Sequence, residues 1–418
     1  MRRRLLLVIA FALVAVVFAA FGLDIWAGSR VASEFARLEA KYGALDGRTL
    51  VAPRVPADQN RVRFIRAAAA LVVRGPLLKG YGVLHTSLAN YEKSSQLAVP
   101  ADVREFIDVN DEAMRVADGA RRLHLSSWEA DYDAGVNVPP WLSVRDLSNV
   151  LAFAARLDIK AGRAEEAPQR IAAGLAVGAS MSEEPSLIAQ LVRISIATQQ
   201  CEAVERLISE AAPSKAALEE IAMLLVENRK TDPMRVGLLA ELKHTNAMLA
   251  RIDRGDRPPS LDSSDLPVGP FSKGRLGRLG RPLIRLTRVQ YLRDMENLIE
   301  AQAGPRPRPA FQGASRWRLT DPLGLSASGV RGLERAIDSG DDFNSVLDVT
   351  QTGVALRRYQ LDRGSYPDDL AALVPAYLAR LPAKPPAYAR TGAGFTLKGE
   401  AVRTSGPESA ALAWTVSR

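Results

Sequence analysis

One cysteine, Cys201, and three histidines, His85, His124 and His244, are all that 418 residues offer to thiol or soft-metal chemistry. A single cysteine excludes an intramolecular disulfide, so the fold must be held by packing. The histidines are far apart, and none has a second ligand three or four positions away on its own helix, the spacing zinc requires. No metal and no cofactor are expected. Acidic residues are missing from one stretch, where Lys273, Arg275, Arg278, Arg281, Arg285 and Arg288 follow one another unopposed. Aromatic residues are missing from the same stretch, which removes the stacking platforms of a nucleic-acid site. Such a run suits phosphates, anionic lipid head groups or an acidic partner, and its plainest reading is a solvated linker.

Several motifs fall short of the chemistry they resemble. Gly324-Leu325-Ser326-Ala327-Ser328-Gly329 misplaces the second glycine of a nucleophile elbow, and no strand leads into it. Gly274, Gly277 and Gly280 recur every three residues, which is the spacing of neither a Walker loop nor a dinucleotide fingerprint. Glu129, Asp131 and Asp133 start like a calcium loop, but Ala134 replaces the turn glycine and Pro140 the bidentate glutamate. Cys201 sits among Ala197, Val204 and Leu207, where a buried, unreactive thiol is expected.

What the chain does have begins at its N-terminus. Arg2, Arg3 and Arg4 precede an unbroken apolar run from Leu5 to Leu23, closed by Asp24. Nineteen residues at ~1.5 Å each give roughly 28 Å, close to the hydrocarbon thickness of a bilayer. A cleavable signal has a shorter core and a small-residue site, which Asp24-Ile25-Trp26 does not supply. The run therefore predicts a transmembrane anchor, and the leading arginines place residues 1 to 4 in the cytoplasm. The bulk of the chain is then expected in the periplasm or outside the cell, on a single-pass inner membrane protein.

Beyond the anchor, apolar residues recur at three and four, predicting helices joined by short turns. Val150, Phe153, Ala154 and Leu157 line one face of a helix, with Ser143 and Asp146 spaced as a capping box and Gly162 as its stop. A second helix is expected from about Glu165, with Pro168 in its first turn and Ala167, Ile171 and Leu175 facing back. Further helices are predicted from Leu187 to about Glu210, Lys215 to about Arg229, Arg235 to about Ile252 and Leu283 to about Ala303. Residues 258 to 282, dense in proline and glycine, read as a linker. In the tail, a helix over Asp342 to Leu361 offers Val346, Val349, Gly353, Leu356 and Tyr359 to a packed face. Gly364 stops it, Tyr366-Pro367-Asp368-Asp369-Leu370 opens a short helix, and strands are expected at Gly394 to Leu397 and Leu412 to Val416.

Three resemblances attach to these residues. Leu151, Ala154, Ala155, Gly162, Ala167 and Ile171 resemble one helical hairpin of a tetratricopeptide repeat, with Asp158 and Ala179 departing from its pattern and no second copy at the repeat period. Ala355-Leu356-Arg357-Arg358-Tyr359, Gly364, Tyr366-Pro367, Leu370, Leu373, Pro375, Tyr377-Leu378 and Leu381-Pro382 resemble the globular part of type II secretion major pseudopilins. That likeness implies a long helix, a G-x-Y-P turn, a short helix and a small antiparallel sheet. The pseudopilin processing motif is missing from Met1 to Leu23, and Lys384-Pro385-Pro386 stands where the family's calcium-site Asp-Pro belongs. Across most of the chain, Trp128 to Tyr132, Gly135, Pro139, Glu184-Pro185, Leu187-Ile188 and Leu191-Val192-Arg193 resemble envelope proteins of planctomycete-like bacteria with no assigned activity.

The expected architecture is mainly α: an anchor over 1–28, a helical domain over 29–257, a Pro/Gly/Arg-rich linker with one helix over 258–341, and a pseudopilin-like α+β module over 342–418. The expected role is a non-catalytic interaction or scaffold component of the cell envelope. The membrane, through Leu5 to Leu23, and another envelope protein are its expected partners. Trp128, Tyr132 and Trp141 are candidate partner contacts because aromatic anchors dominate binding interfaces, with core packing as the bland alternative. Two rivals are an accessory component of a type II secretion or pilus-like system, and an enzyme assembled from distant residues such as Glu129, Asp131 and Asp133.

Overall fold

The computed structural model describes residues 2–43, 54–74, 81–93, 98–130, 139–163, 165–229, 232–254, 281–302, 304, 333–403 and 410–417. It is mainly helical with one three-stranded antiparallel sheet. The chain forms two compact units, Met1–Val51 with Gly237–Ile337, and Ala52–Val236 with Asp338–Arg418. The consecutive blocks 29–257, 258–341 and 342–418 are thus distributed over discontinuous units, two of whose boundaries, after Val236 and after Ile337, fall inside helices.

Unit 1 is helical. Helix α1 (Arg2–Tyr42) is continuous and extends far past Asp24. It packs beside α11 (Arg281–Gln302) and the later part of α10 (Pro233–Arg254). Pro233 opens α10 rather than only breaking what precedes it, because the first helical position needs no N–H donor. Leu38, Leu242, Leu249, Leu292 and Met295 are buried together and form the unit's core. Among the described residues no helix is long and apolar enough to cross a membrane, and the side chains of residues 5–10 and 12–17 lie outside the described set.

Unit 2 is built on α6 (Trp141–Lys160), α7 (Glu166–Ala179), α8 (Leu187–Glu210) and α9 (Lys215–Asn228). α6 and α7 form the expected hairpin, turned at Gly162 with φ +73. Asp158, where a tetratricopeptide repeat prefers an aromatic residue, is buried and accepts from Arg163 Nε at 2.8 Å and Arg170 Nε at 2.6 Å, which pins the turn. Ser143 does not cap α6, because the helix already starts at Trp141; instead its hydroxyl accepts from Arg74, which also pairs with Asp146 at 2.6 Å. α7 lies at the centre, in contact with α6, α8 and α9. Gly174 and Gly178 make this approach feasible, since a Cβ at either would strike Gln200 of α8 or Asn228 of α9. Around them stand α2 (Val62–Leu71), α3 (Tyr81–Lys93), α4 (Ala101–Asp108) and α5 (Asp111–Asp118).

The tail follows its expected layout, with one strand more. α12 (Leu333–Arg363) ends at Gly364, φ +78, whose N–H donates to Gln360 O at 2.8 Å. Asp369 caps a short 3-10 turn, Leu370–Leu373. Strands β1 (Ala387–Thr391), β2 (Gly394–Arg403) and β3 (Ala410–Val416) pair in that order. Gly392, at φ +56, opens the two-residue turn between β1 and β2, the position where hairpin turns call for glycine. Phe395 and Leu397 of β2 and Trp414 and Val416 of β3 face inward with a period of two. Tyr366, Phe395 and Trp414 stack edge to face at 5.0 and 5.4 Å between centroids, and Trp414 lies against Gly353 of α12.

Candidate functional site

Among the described residues of unit 1, a charged assembly joins α1 to α11. Glu34, Arg37 and Lys41 are spaced at i, i+3 and i+7, which aligns them on one helical face. Arg293 Nε donates to Glu34 at 2.7 Å, Arg37 Nη1 to Glu296 at 2.7 Å and Lys41 Nζ to Glu296 at 2.9 Å; Lys41 also pairs with Glu300. The hydrogen bonds from Arg37, together with those from Lys41, hold the Glu296 carboxyl down to about 2 against the opposing effect of burial. For Glu34, burial pulls upward, but hydrogen bonds from Arg293 and Arg37 outweigh it and the net shift is down. Isolated exposed pairs contribute little, whereas a carboxylate shared between two cations on packed helices fixes register.

At the Asp24 end the ladder turns basic. Arg285 Nη1 donates to Asp24 O at 2.8 Å and lies 3.1 Å from its carboxylate, while Arg285 Nε donates to Asp253 of α10 at 3.0 Å. Arg281 lies 3.5 Å from the same Asp253. Arg288 is held against Asn246 at 2.6 Å, and burial lowers its pKa. Of the six basic residues singled out in the sequence, these three therefore lie on α11, two paired with carboxylates and one with an amide; Lys273, Arg275 and Arg278 lie outside the described residues. The sequence reading missed Asp24, Asp253, Arg37 and Glu296 as partners, since separations such as 261 and 259 residues leave no local pattern.

Two of the three aromatic candidates are internal. Trp128 is 1% exposed and Trp141 8%, with rings 5.3 Å apart at 60°, so neither is presented to a partner in this conformation. Trp128 Nε1 donates to Ser180 O at 3.1 Å, and the Arg66 guanidinium lies 5.1 Å from its ring. Core packing, which satisfies the indole N–H, accounts for both residues. Tyr132, Asp131 and Asp133 lie outside the described residues; Glu129, exposed, carries φ +51 at the edge of that segment.

Unit 2 also brings together titratable groups no spacing announced. Glu227 on α9 accepts from Arg61 Nη2 at 2.7 Å and lies 2.6 Å from His124 Nδ1. A carboxylate that orients an imidazole is how general bases are held. Here the carboxylate is shared with a fully buried arginine, and the trio ties the start of α2, the stretch at His124 and the end of α9 to one another. Arg193, equally buried, donates to Gln190 Oε1 at 2.9 Å and to Asn228 O, covering one carbonyl at the end of α9. Burial pulls its pKa down to about 10. Cys201 is wholly buried, and that burial pushes its thiol up to about 12, the inert state expected of it. Among the described residues no group of three or more His, Cys, Asp or Glu side chains is placed to hold a metal ion.

Compared with known proteins, the chain matches no family model, no curated protein and no solved structure.

Proposed function

We propose that the chain is a single-pass membrane protein, anchored by Leu5 to Leu23 with residues 1 to 4 in the cytoplasm, whose two units serve outside the cytoplasm as an interaction scaffold of the cell envelope. One observation carries the anchor: the described large apolar side chains of α1 before Asp24 are bare, with Phe11 77%, Phe18 72% and Phe21 65% exposed. Soluble surfaces rarely leave a stripe of phenylalanines in water, and a bilayer would cover it. Beyond Asp24 the same helix becomes part of the core of unit 1 through Leu38, so anchor and unit share one rigid element.

The scaffold role is supported by what the titratable groups do. The ladder of unit 1 and the Arg61, Arg193 and Asp158 contacts of unit 2 tie helices together, and the one thiol is sealed. The layout of the tail favours a second reading, an accessory component of a secretion or pilus-like system: long helix, Gly364 turn, short 3-10 turn and antiparallel sheet follow in the order the pseudopilin resemblance implies. β1 is an outer strand with mostly exposed residues, a surface on which another protein could add a strand.

The test is fractionation of cells making the full chain. It should remain in the membrane through alkaline carbonate, and its tail should be cleaved by protease added to spheroplasts. A tail reached by protease only after the inner membrane is broken would reverse the assigned topology. Cross-linking from Arg390 on β1 in intact cells should capture one envelope protein reproducibly; capture of none would remove the scaffold role and leave the anchor.

A further inference from the structure

The sheet of unit 2 has two edges that differ in chemistry. β1 is five residues long, follows Pro385-Pro386 and carries Arg390, which pairs with Asp368 at 2.7 Å. Its Tyr388 is tied through the hydroxyl to Pro367 O. Short length, proline and charge are the devices by which natural sheets keep an edge from pairing at random. β3 has none of them. Its seven residues, Ala410–Val416, hold no charge, no proline and no glycine, and among the described residues no strand pairs with its outer side.

The register decides which backbone groups that edge presents. Thr391 and Gly394 flank the two-residue turn between β1 and β2, and the pair that closes such a hairpin exchanges hydrogen bonds. Gly394 and Thr396 therefore turn their N–H and C=O towards β1, and Phe395 and Leu397 turn theirs towards β3. Opposite them stand Val416 and Trp414, which bond inward; Val416 O lies directly against Gly394. By alternation Ala411, Ala413 and Thr415 point their N–H and C=O away from the sheet. The irregularity between Lys398 and Val402 adds residues to β2 and leaves β3 regular. The Ala413 and Thr415 side chains are exposed on the outer face, whereas Trp414 and Val416 are buried on the inner one.

These outward positions are self-complementary. When two copies of β3 run antiparallel about Ala413, Ala413 meets Ala413 and Ala411 meets Thr415 of the other copy. Each outward N–H then finds a C=O, about six hydrogen bonds in all, and no like charges are opposed. We propose that β3 pairs in this way with β3 of a second copy of the chain, joining the two sheets into one across a twofold axis. A strand pair alone buries less than the roughly 1,200 Å² of a stable interface, so the dimer depends on copies sharing one membrane, which raises their effective concentration. In that respect it rests on the anchor reading above. β1, which sets Arg390 and Asp368 before any incoming strand, is left to a different protein.

The experiment is oxidative cross-linking of the full chain in the membranes where it is made. Facing residues of a hydrogen-bonded antiparallel pair have Cα atoms about 5.5 Å apart, within disulfide reach. Ala413→Cys should therefore give a covalent dimer, while Arg390→Cys on β1 should give at least fivefold less. The buried Cys201 of the unmutated chain should give none. Adding Thr415→Pro to Ala413→Cys removes an outward N–H without touching a bond to β2, and should lower the dimer about tenfold. Equal cross-linking from Ala413→Cys and Arg390→Cys rejects the pairing, and that comparison holds even where the proline variant folds poorly. A dimer undiminished by Thr415→Pro in a chain with unchanged tryptophan emission rejects it as well. Carbonate extraction of the same membranes separates the two ideas: a released chain defeats the anchor, whereas an integral chain without the Ala413→Cys dimer defeats the strand pairing alone.

Discussion

Glu296 is the carboxylate on which the α1–α11 ladder turns. Its pKa is held down to about 2 from an ordinary value near 4.5. A depressed carboxyl contributes stability that is present above its unfolded value and is lost as pH falls through its folded one. The melting temperature of the full chain should therefore decline between about pH 4.5 and 2, and Glu296→Gln should flatten that decline while costing about 1 to 2 kcal/mol at neutral pH. A decline identical in the two proteins would remove Glu296 from the account. Cys201 gives a second check: with its thiol buried and pushed up to about 12, it should resist Ellman's reagent in the native protein and react within minutes in denaturant. Rapid native labelling would mean that α8 opens. That inertness was legible from Ala197, Val204 and Leu207 around the cysteine. The fates of Trp128 and Trp141 were not, because an aromatic residue suits an interface and a core equally until its neighbours are known.

At the scale of elements, the helices with clear start signals matched their expectation closely. α8 occupies Leu187–Glu210 and α9 begins at Lys215, behind Ser186 and Ser214, each of which accepts a hydrogen bond from the N–H three residues on. Ser143 misled, since a capping pattern inside a helix that already begins at Trp141 has no free N–H to satisfy. β1 went unseen because Ala387 to Thr391 has no buried alternation; it is an outer strand whose place is set by pairing with β2. Gly353 was read as part of a packed face, and the structure gives the reason: Trp414 lies directly against its backbone. Gly353→Ala would force that buried ring aside, with an expected cost of about 1 to 3 kcal/mol and a shifted tryptophan emission. An unchanged melting temperature and emission would contradict the contact. Asp158→Ala removes the partner of Arg163 and Arg170 and should cost about 1 to 3 kcal/mol, measured by urea unfolding, whereas Glu166→Ala on the exposed side of the same turn should change little.

For the whole molecule, the prediction concerns the anchor alone. Deleting residues 2 to 23 leaves Asp24, Leu38 and the ladder in place, so the shortened chain should fold with native-like helicity and partition to the supernatant. A shortened chain still held by membranes would show that α1 is not what retains it. What the amino-acid sequence determined by itself was local: helical periodicity, the stops at Gly162 and Gly364, an apolar run of bilayer length, and the inward alternation of Phe395 and Leu397, each decided by residues within a few positions of one another. Tertiary structure alone decided which distant segments share a unit, why Arg285 answers Asp24 and Asp253, and why Glu227 meets both Arg61 and His124. The physical reason is that a charge carries no mark of its partner along the chain. Attraction between ions acts through space, and folding of the apolar faces determines which ions come within its reach.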